Sequence, residues 1–297
     1  MSESKKYCIK FFDSTTKSDV YKEIYERLCE THLLDFYGPD KRVHITAGDD
    51  YTHVIIINTA MPPIPSHIPK QNVIGLAFEP LPYLGLTKAF VNYAQKHIGT
   101  YYIGDKQGLP SCFTEHYAYM FHVTPLKSIP DKPKIISMIF STKSNLDGHK
   151  YRHTLVKRIL DDNLPVDIFG RGCRLYENYQ MKHHSQLKGN FDNYEPYLDY
   201  QLHIAIENIQ SNHYFSEKIT NALLCGSIPV YLGCKNIESY FPEQSLVLTG
   251  SLETDITLIK NILREPEKYR KEINVPKVKQ TIGLIQNIVV VFNNGNQ

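Results

Sequence analysis

The sequence predicts an α/β protein of two doubly wound, Rossmann-like domains facing a cleft. Three observations lead there. Strand and helix signals alternate through the first part of the chain, then start again after residue 134. The strongest strand segments, "VIIIN" and "VIGLAF", are apolar on both parities, as a parallel sheet covered on both faces requires. Between the two series lies "TPLKSIPDKPK" (124–134), whose three prolines and three lysines read as a linker.

The elements follow in order. "YCIKFF" reads as a strand, and "SDVYKEIYERLCETH" as a helix with Val20, Ile24 and Leu28 on its apolar face. "RVHITA", "THVIIIN" and "NVIGLAFEP" are strands, "YLGLTKAFVNYAQKH" a helix and "GTYYIGD" a further strand. After the linker come the strand "IISMIF", the helix "GHKYRHTLVKRIL" and the strand "VDIFG". A polar, Tyr-rich stretch covers roughly 171–200. Then follow the strand "QLHIAIEN", the helix "SEKITNALLC", the strands "IPVYLG" and "SLVLTG", and a helix over "ETDITLIKNILREPEKYRKEI" broken at Pro266. The tail "VKQTIGLIQNIVVVFNN" fits a helix or a closing strand. The domains are thus 1–125, 126–275 and a tail 276–297 that could pack back on the first.

Composition narrows the function. The 297 residues carry a net charge of +2, so no nucleic acid or anionic membrane is called for as a partner. The opening "MSESKKYCIKFFDS" has no apolar h-region, and the longest apolar runs are too short to span a bilayer. The six cysteines form no CxxC pair and no metal-type spacing. A cytoplasmic protein, reduced, without a membrane span or a metal, is the expectation.

Open parallel sheets bind ligands beyond the carboxyl ends of their strands. Four segments stand there. "FSTKSNLDGHKYRHTLVKRIL" (140–160) passes from a strand through a polar loop into a basic helix. Arg152 there could fork onto a diphosphate, although the run also fits a solvated basic surface. It holds neither GxGxxG nor a Walker loop. In "VDIFGRG" (166–172), Gly170 and Gly172 allow a ligand close to the backbone, or simply a tight turn.

The third segment is "AIENIQSNHYFSEKITNALLCGSIPVYLG" (205–233), with Glu207, Asn208, Tyr214, Ser216, Glu217 and Lys218 between a strand and a helix. Ser216 suits an N-cap and Glu217 the positive end of the helix. Lys218 does not, because a cation in the first turn is unfavourable unless an anion meets it. A bound diphosphate would be such an anion. The fourth is "GLAFEPLPYLGL" (75–86), where Glu79 follows a buried strand and could serve as a general base, or stay solvated and inert.

The third segment resembles the signature of the α-1,3/1,4-fucosyltransferases, F-E-N-(S/T)-x-x-x-D-Y-(V/I)-T-E-K-(L/I), then a helix, then G-x-(V/I)-P-(V/I)-x-x-G. Glu207, Asn208, Tyr214, Glu217, Lys218, Gly226, Pro229 and Gly233 match it at the right spacing. Upstream, 140–172 is similar to the family's "S-N-x…R…VD-x-(Y/F)-G-(K/R)" region, and "GLAFEPLP" lies where the family has an acidic residue before a proline. The clear match covers 135–250, with 70–125 looser.

The resemblance implies a GT-B fold and an inverting transfer of a sugar, typically fucose from GDP-fucose, onto a hydroxyl of an acceptor glycan. It makes Glu79 the base. Arg152 and Lys218 would hold the diphosphate, Glu217 would contact ribose or sugar, and Asn208 and Tyr214 would shape the nucleotide pocket. Ser141 and Gly170, in the matching upstream region, complete the donor set. No metal cofactor is implied. The missing anchor and stem make the chain similar to soluble bacterial or viral members. Ile206, Ile209, His213 and Ser216 depart from the pattern, which leaves open another nucleotide sugar or an inactive nucleotide- or glycan-binding relative.

Overall fold

The computed structural model describes residues 7–30, 43–181 and 184–293. The chain divides into two units. One runs to Met120 and takes in the chain again from Lys279; the other is Phe121–Val278.

The first unit opens with β1 (Tyr7–Phe12), α1 (Ser18–Glu30), β2 (Val43–Ile45) and β3 (His53–Ile57). It continues with β4 (Val73–Leu76), α2 (Leu81–Leu84), α3 (Lys88–His97), β5 (Thr100–Ile103) and β6 (Phe113–Glu115). The six strands lie in the order β2-β1-β3-β4-β5-β6. Every pairing is parallel. All of β3 and β4 is buried, which is why their sequences are apolar on both parities.

Two expectations are corrected here. The inner face of α1 is Tyr21 and Tyr25, both stacked on Phe11 at 5.0 Å, while Val20 is 41% exposed. Two phenol rings at i and i+4 bury more surface than a valine, so they set the face. Leu28 lies outside the described side chains. The single helix expected over 83–97 is two, broken where Gly85 takes φ 65 and Thr87 caps α3 by accepting from Phe90 N.

The second unit comprises β7 (Lys134–Ile139), α4 (Asp147–Asp161), β8 (Asp167–Phe169), β9 (Leu187–Gly189) and α5 (Glu195–Leu198). Then come β10 (Tyr200–Ile206), α6 (Glu217–Leu224), β11 (Ile228–Leu232), β12 (Leu246–Val247) and α7 (Leu252–Arg264). Its sheet order is β12-β11-β10-β7-β8-β9, again all parallel. Counted within the unit this is 3-2-1-4-5-6, the doubly wound order whose direction reverses between β7 and β10. Leu155, Val156 and Ile159 of α4 and Ile256, Ile259 and Ile262 of α7 close one face of the sheet. Tyr197 of α5 packs with Ala222 and Cys225 beside α6 in a separate cluster. The segment after Met120 belongs here because Val123 N donates to Asn221 Oδ1 at 2.7 Å and Tyr194 donates to Thr124 O at 3.0 Å.

The tail is helical, α8 (Val275–Ile282) and α9 (Ile288–Asn293). Tyr102 donates to Val291 O at 2.8 Å, and Phe292 stacks on Tyr7, so α9 is part of the first unit's core. Cys8, Cys112, Cys173, Cys225 and Cys234 are free thiols. Among the described residues no helix is long and apolar enough to cross a membrane.

Candidate functional site

At the reversal point of the second sheet, β10 ends and delivers Glu207 and Asn208. The amino end of α4 docks onto that end. Gly148 N donates to Asn208 O at 3.0 Å, and a Cβ on Gly148 would stand 1.8 Å from Glu207 O. No side chain fits at that position, so α4 can approach β10 only through a glycine.

Glu207 is the centre. Its carboxylate has no exposed surface and accepts from Ser216 N at 2.8 Å and from Ser216 Oγ at 2.7 Å. Lys218 Nζ lies 3.4 Å from Glu207 Oε2, donates to Ser216 Oγ at 2.8 Å, and pairs with Glu217 Oε1 at 3.1 Å. Ser216 is the N-cap of α6, as its position before the apolar helix suggested. The reasoning that Lys218 lacks an anion is corrected: Glu207 and Glu217 supply it from within the chain. Burial opposes the ammonium charge, but these two carboxylates outweigh it and raise the Lys218 pKa above the usual lysine value. Burial likewise pushes Glu217 up, and the Lys218 charge more than reverses this, leaving its pKa low.

Arg152 reaches the same place from α4. Its Nη2 donates to Asn208 Oδ1 at 2.7 Å and its Nε to Gly148 O at 3.2 Å. Burial lowers its pKa and the charges of Glu207 and Glu217 oppose the fall. A guanidinium stays protonated regardless, so a buried cation is held here with two of its five N–H groups engaged by these contacts. The other basic groups of α4 serve the surface: Lys157 pairs with Asp161, and Arg158 with Asp162 and Glu253. The solvated basic surface is therefore realised by Lys157 and Arg158, while Arg152 is buried against Asn208.

Arg152, Asn208, Glu217 and Lys218 thus come together around Glu207. Tyr214 is buried and close enough to Arg152 to affect its titration. Ser141 follows β7 and is half-buried at the same edge. Gly170, at φ 102, follows β8; a Cβ there would stand 2.4 Å from Phe140 O. The close neighbour that requires this glycine is Phe140, as in a tight turn.

Glu79 belongs to the first unit, two residues past Ala77 at the end of β4. Its N–H and that of Phe78 donate to Asn58 Oδ1 at 3.3 and 2.9 Å. Asn58 itself sits at φ 51, and Tyr101 donates to its carbonyl at 2.7 Å. Beside this loop a cavity of about 420 Å³ is lined by Leu81, Pro82, Gly85, Leu86 and Leu109 with Gln107 and Gly108.

Sequence reasoning missed Gly148, His149 and Asn58. His149, 2% exposed in the first turn of α4, is held neutral: burial first and the Arg152 charge second push its pKa down to about 4. The available signals were an asparagine closing an all-apolar strand and a glycine at a helix start. Among the described residues no group of three or more His, Cys, Asp or Glu side chains gathers in metal-ligating fashion.

Residues 129–271 match the model of glycosyltransferase family 10 (fucosyltransferase), C-terminal part. The matched residues lie within the second unit, which is therefore similar to that family's C-terminal part. A putative fucosyltransferase-like protein of Arabidopsis thaliana is 29% identical over 134 residues, which are 44% of this chain and 24% of that protein. An alpha-(1,4)-fucosyltransferase of Arabidopsis thaliana is 25% identical over 199 residues, 62% of this chain and 45% of that one. The chain therefore spans less than half the length of these curated relatives. The crystal structure of an alpha1,3-fucosyltransferase with GDP-fucose superposes with a TM-score of 0.53 at 14% identity, covering 98% of this chain and 92% of that one. The fold is thus that of the GT-B glycosyltransferases, and the cluster around Glu207 lies within the residues that the family model matches.

Proposed function

We propose that the protein is an inverting fucosyltransferase that moves fucose from GDP-fucose onto a hydroxyl of an acceptor glycan, without a metal. Glu79 takes the proton of the acceptor hydroxyl as its oxygen bonds to the anomeric carbon. The bond from that carbon to the phosphate oxygen breaks, and GDP leaves with the electron pair. Arg152 and Lys218 neutralise the charge that develops on the leaving diphosphate. Their positions are fixed in advance by Glu207, Ser216 and Asn208, so little reorganisation is needed at the moment of reaction. Glu217, half-exposed beside Lys218, accepts from hydroxyls of ribose or sugar. Asn208 and Tyr214 line the nucleotide side, with Ser141 and Gly170 at the same strand edge.

The observation that carries this reading is two cations, from different helices, held against buried acceptors at the reversal point of a 3-2-1-4-5-6 sheet. The donor of the related crystal structure and the names of the relatives support fucose. The test is thermal stabilisation by GDP, UDP, CMP and ADP with EDTA present, on wild type and Lys218→Ala. GDP at about one hundred times its Kd should add about 2.7 kcal/mol. That gain should shrink in the variant. Stabilisation by UDP alone would discard fucose, and no response to any nucleotide would remove the transferase reading.

A further inference from the structure

On the proposed reading Arg152 and Lys218 meet the diphosphate, and the base needs an aromatic face beyond them. Two places at the carboxyl edge of the second sheet could take the base, and the crossovers separate them. Right-handed crossovers put helices on opposite faces when the chain moves in opposite directions along the sheet. From β7 through α4 to β8 the chain moves toward β9. From β9 through α5 to β10, and from β10 through α6 to β11, it moves the other way. So α5 and α6 share one face, consistent with Tyr197 packing against Ala222 and Cys225. A cavity of about 370 Å³ lined by Asp147, Gly148, Tyr151, Glu207, Gln210 and Gly250 opens instead against α4, on the other side of the Glu207 cluster. A ligand seated at the amino end of α6 and outside that cavity would run along the α5 side.

On that side the loop 190–193 follows β9 and leads into α5. It carries Phe191, a phenyl ring 36% exposed at the end of a strand. The ring is fixed edge-on against Phe169, with centroids 6.2 Å apart at 78°. Asp192 Oδ1 accepts from Tyr194 N and Glu195 N, each at 3.0 Å, which sets the turn below it. Gly189, at φ 78, leaves open space where a Cβ would stand. From the end of β10 to the end of β9 is three strand spacings, about 14 Å. That matches the reach of an extended nucleoside diphosphate.

We propose that Phe191 is the base-stacking platform of the donor site, the nucleotide lying from the amino end of α6 along the α5 face to this loop. The inference rests on the reading of the second unit as a nucleotide-sugar site. A phenyl face stacks on any base, so Phe191 adds affinity without choosing the base.

The test is calorimetric titration of the full chain with GDP and with inorganic pyrophosphate, on wild type, Phe191→Ala, Phe191→Tyr and Lys218→Ala. Phe191→Ala should weaken GDP about tenfold or more while pyrophosphate binding is unchanged. Phe191→Tyr should bind GDP as wild type does, and Lys218→Ala should weaken both ligands. If Phe191→Ala binds GDP like wild type while Lys218→Ala does not, the base lies elsewhere and the proposal is overturned. Equal loss of GDP and pyrophosphate in Phe191→Ala overturns it too, as a merely structural effect. Wild type binding neither ligand would instead overturn the nucleotide-sugar reading beneath it.

Discussion

At the carboxyl edge of the second sheet, Glu207, Glu217, Lys218 and Arg152 hold one another, with Ser216 and Asn208 between them. At the edge of the first sheet Glu79 stands on a loop whose backbone is hung from the side chain of Asn58. One edge is organised by paired charges around a buried carboxylate. The other is organised by one amide and a left-handed turn beside a cavity of mixed lining. The difference teaches that a charge network fixes where charges lie, whereas a backbone clamp fixes the path of the chain.

The sharpest way to break the comparison is Glu207→Ala. It strands the buried Lys218 with half its pairing and costs about 3–5 kcal/mol, read by denaturant unfolding. Donor affinity should fall with it. A loss under about 1 kcal/mol would mean the network does not hold the edge together. Asn58→Ala should cost less, about 1–3 kcal/mol, because two N–H groups lose their acceptor. Its signature is kinetic: kcat falls while the donor KM stays, and Asn58→Asp restores the rate. A donor KM that rises in parallel would contradict the separation of the two edges.

Acid should distinguish the units more gently. Burial holds His203 at about 3 and His149 at about 4 in the second unit, and His53 at about 4 in the first. A histidine whose folded pKa is depressed adds stability that is full above about 6.5 and is lost as pH falls through its folded value. Calorimetry between pH 7 and 4 should show the second unit losing more, and His149→Gln should flatten that loss. The smallest effect belongs to Arg158→Ala on the outer face of α4. It should leave nucleotide binding unchanged, since Arg158 pairs with Glu253 and Asp162 on the surface.

The second edge was largely legible in the sequence because side-chain type carries it. A Glu-Asn pair closing an apolar strand, then Ser-Glu-Lys opening a helix, states the chemistry in residue letters. Even so, the partners of Lys218 could not be read, since Glu207 is eleven residues away and meets it only after β10 and α6 have formed. The first edge was legible only as Glu79. Asn58 acts through a φ of 51 and one oxygen atom, and neither has a sequence pattern of its own. The short strands β6 and β9, each of three residues, left no periodicity to find. The inner face of α1 departs from the one Val20 marks because the rings of Tyr21 and Tyr25 are buried on Phe11.

The return of α9 to the first unit has a consequence for biosynthesis. Tyr7, His53 and Tyr102 all find partners on Val291 or Phe292. The second unit is one uninterrupted stretch, Phe121–Val278, and is complete once that stretch has left the ribosome. The first unit, although synthesised earlier, waits with those three side chains uncovered until the last helix emerges. A nascent chain stalled before α9 therefore presents Tyr7, His53 and Tyr102 without their contacts to Val291 and Phe292.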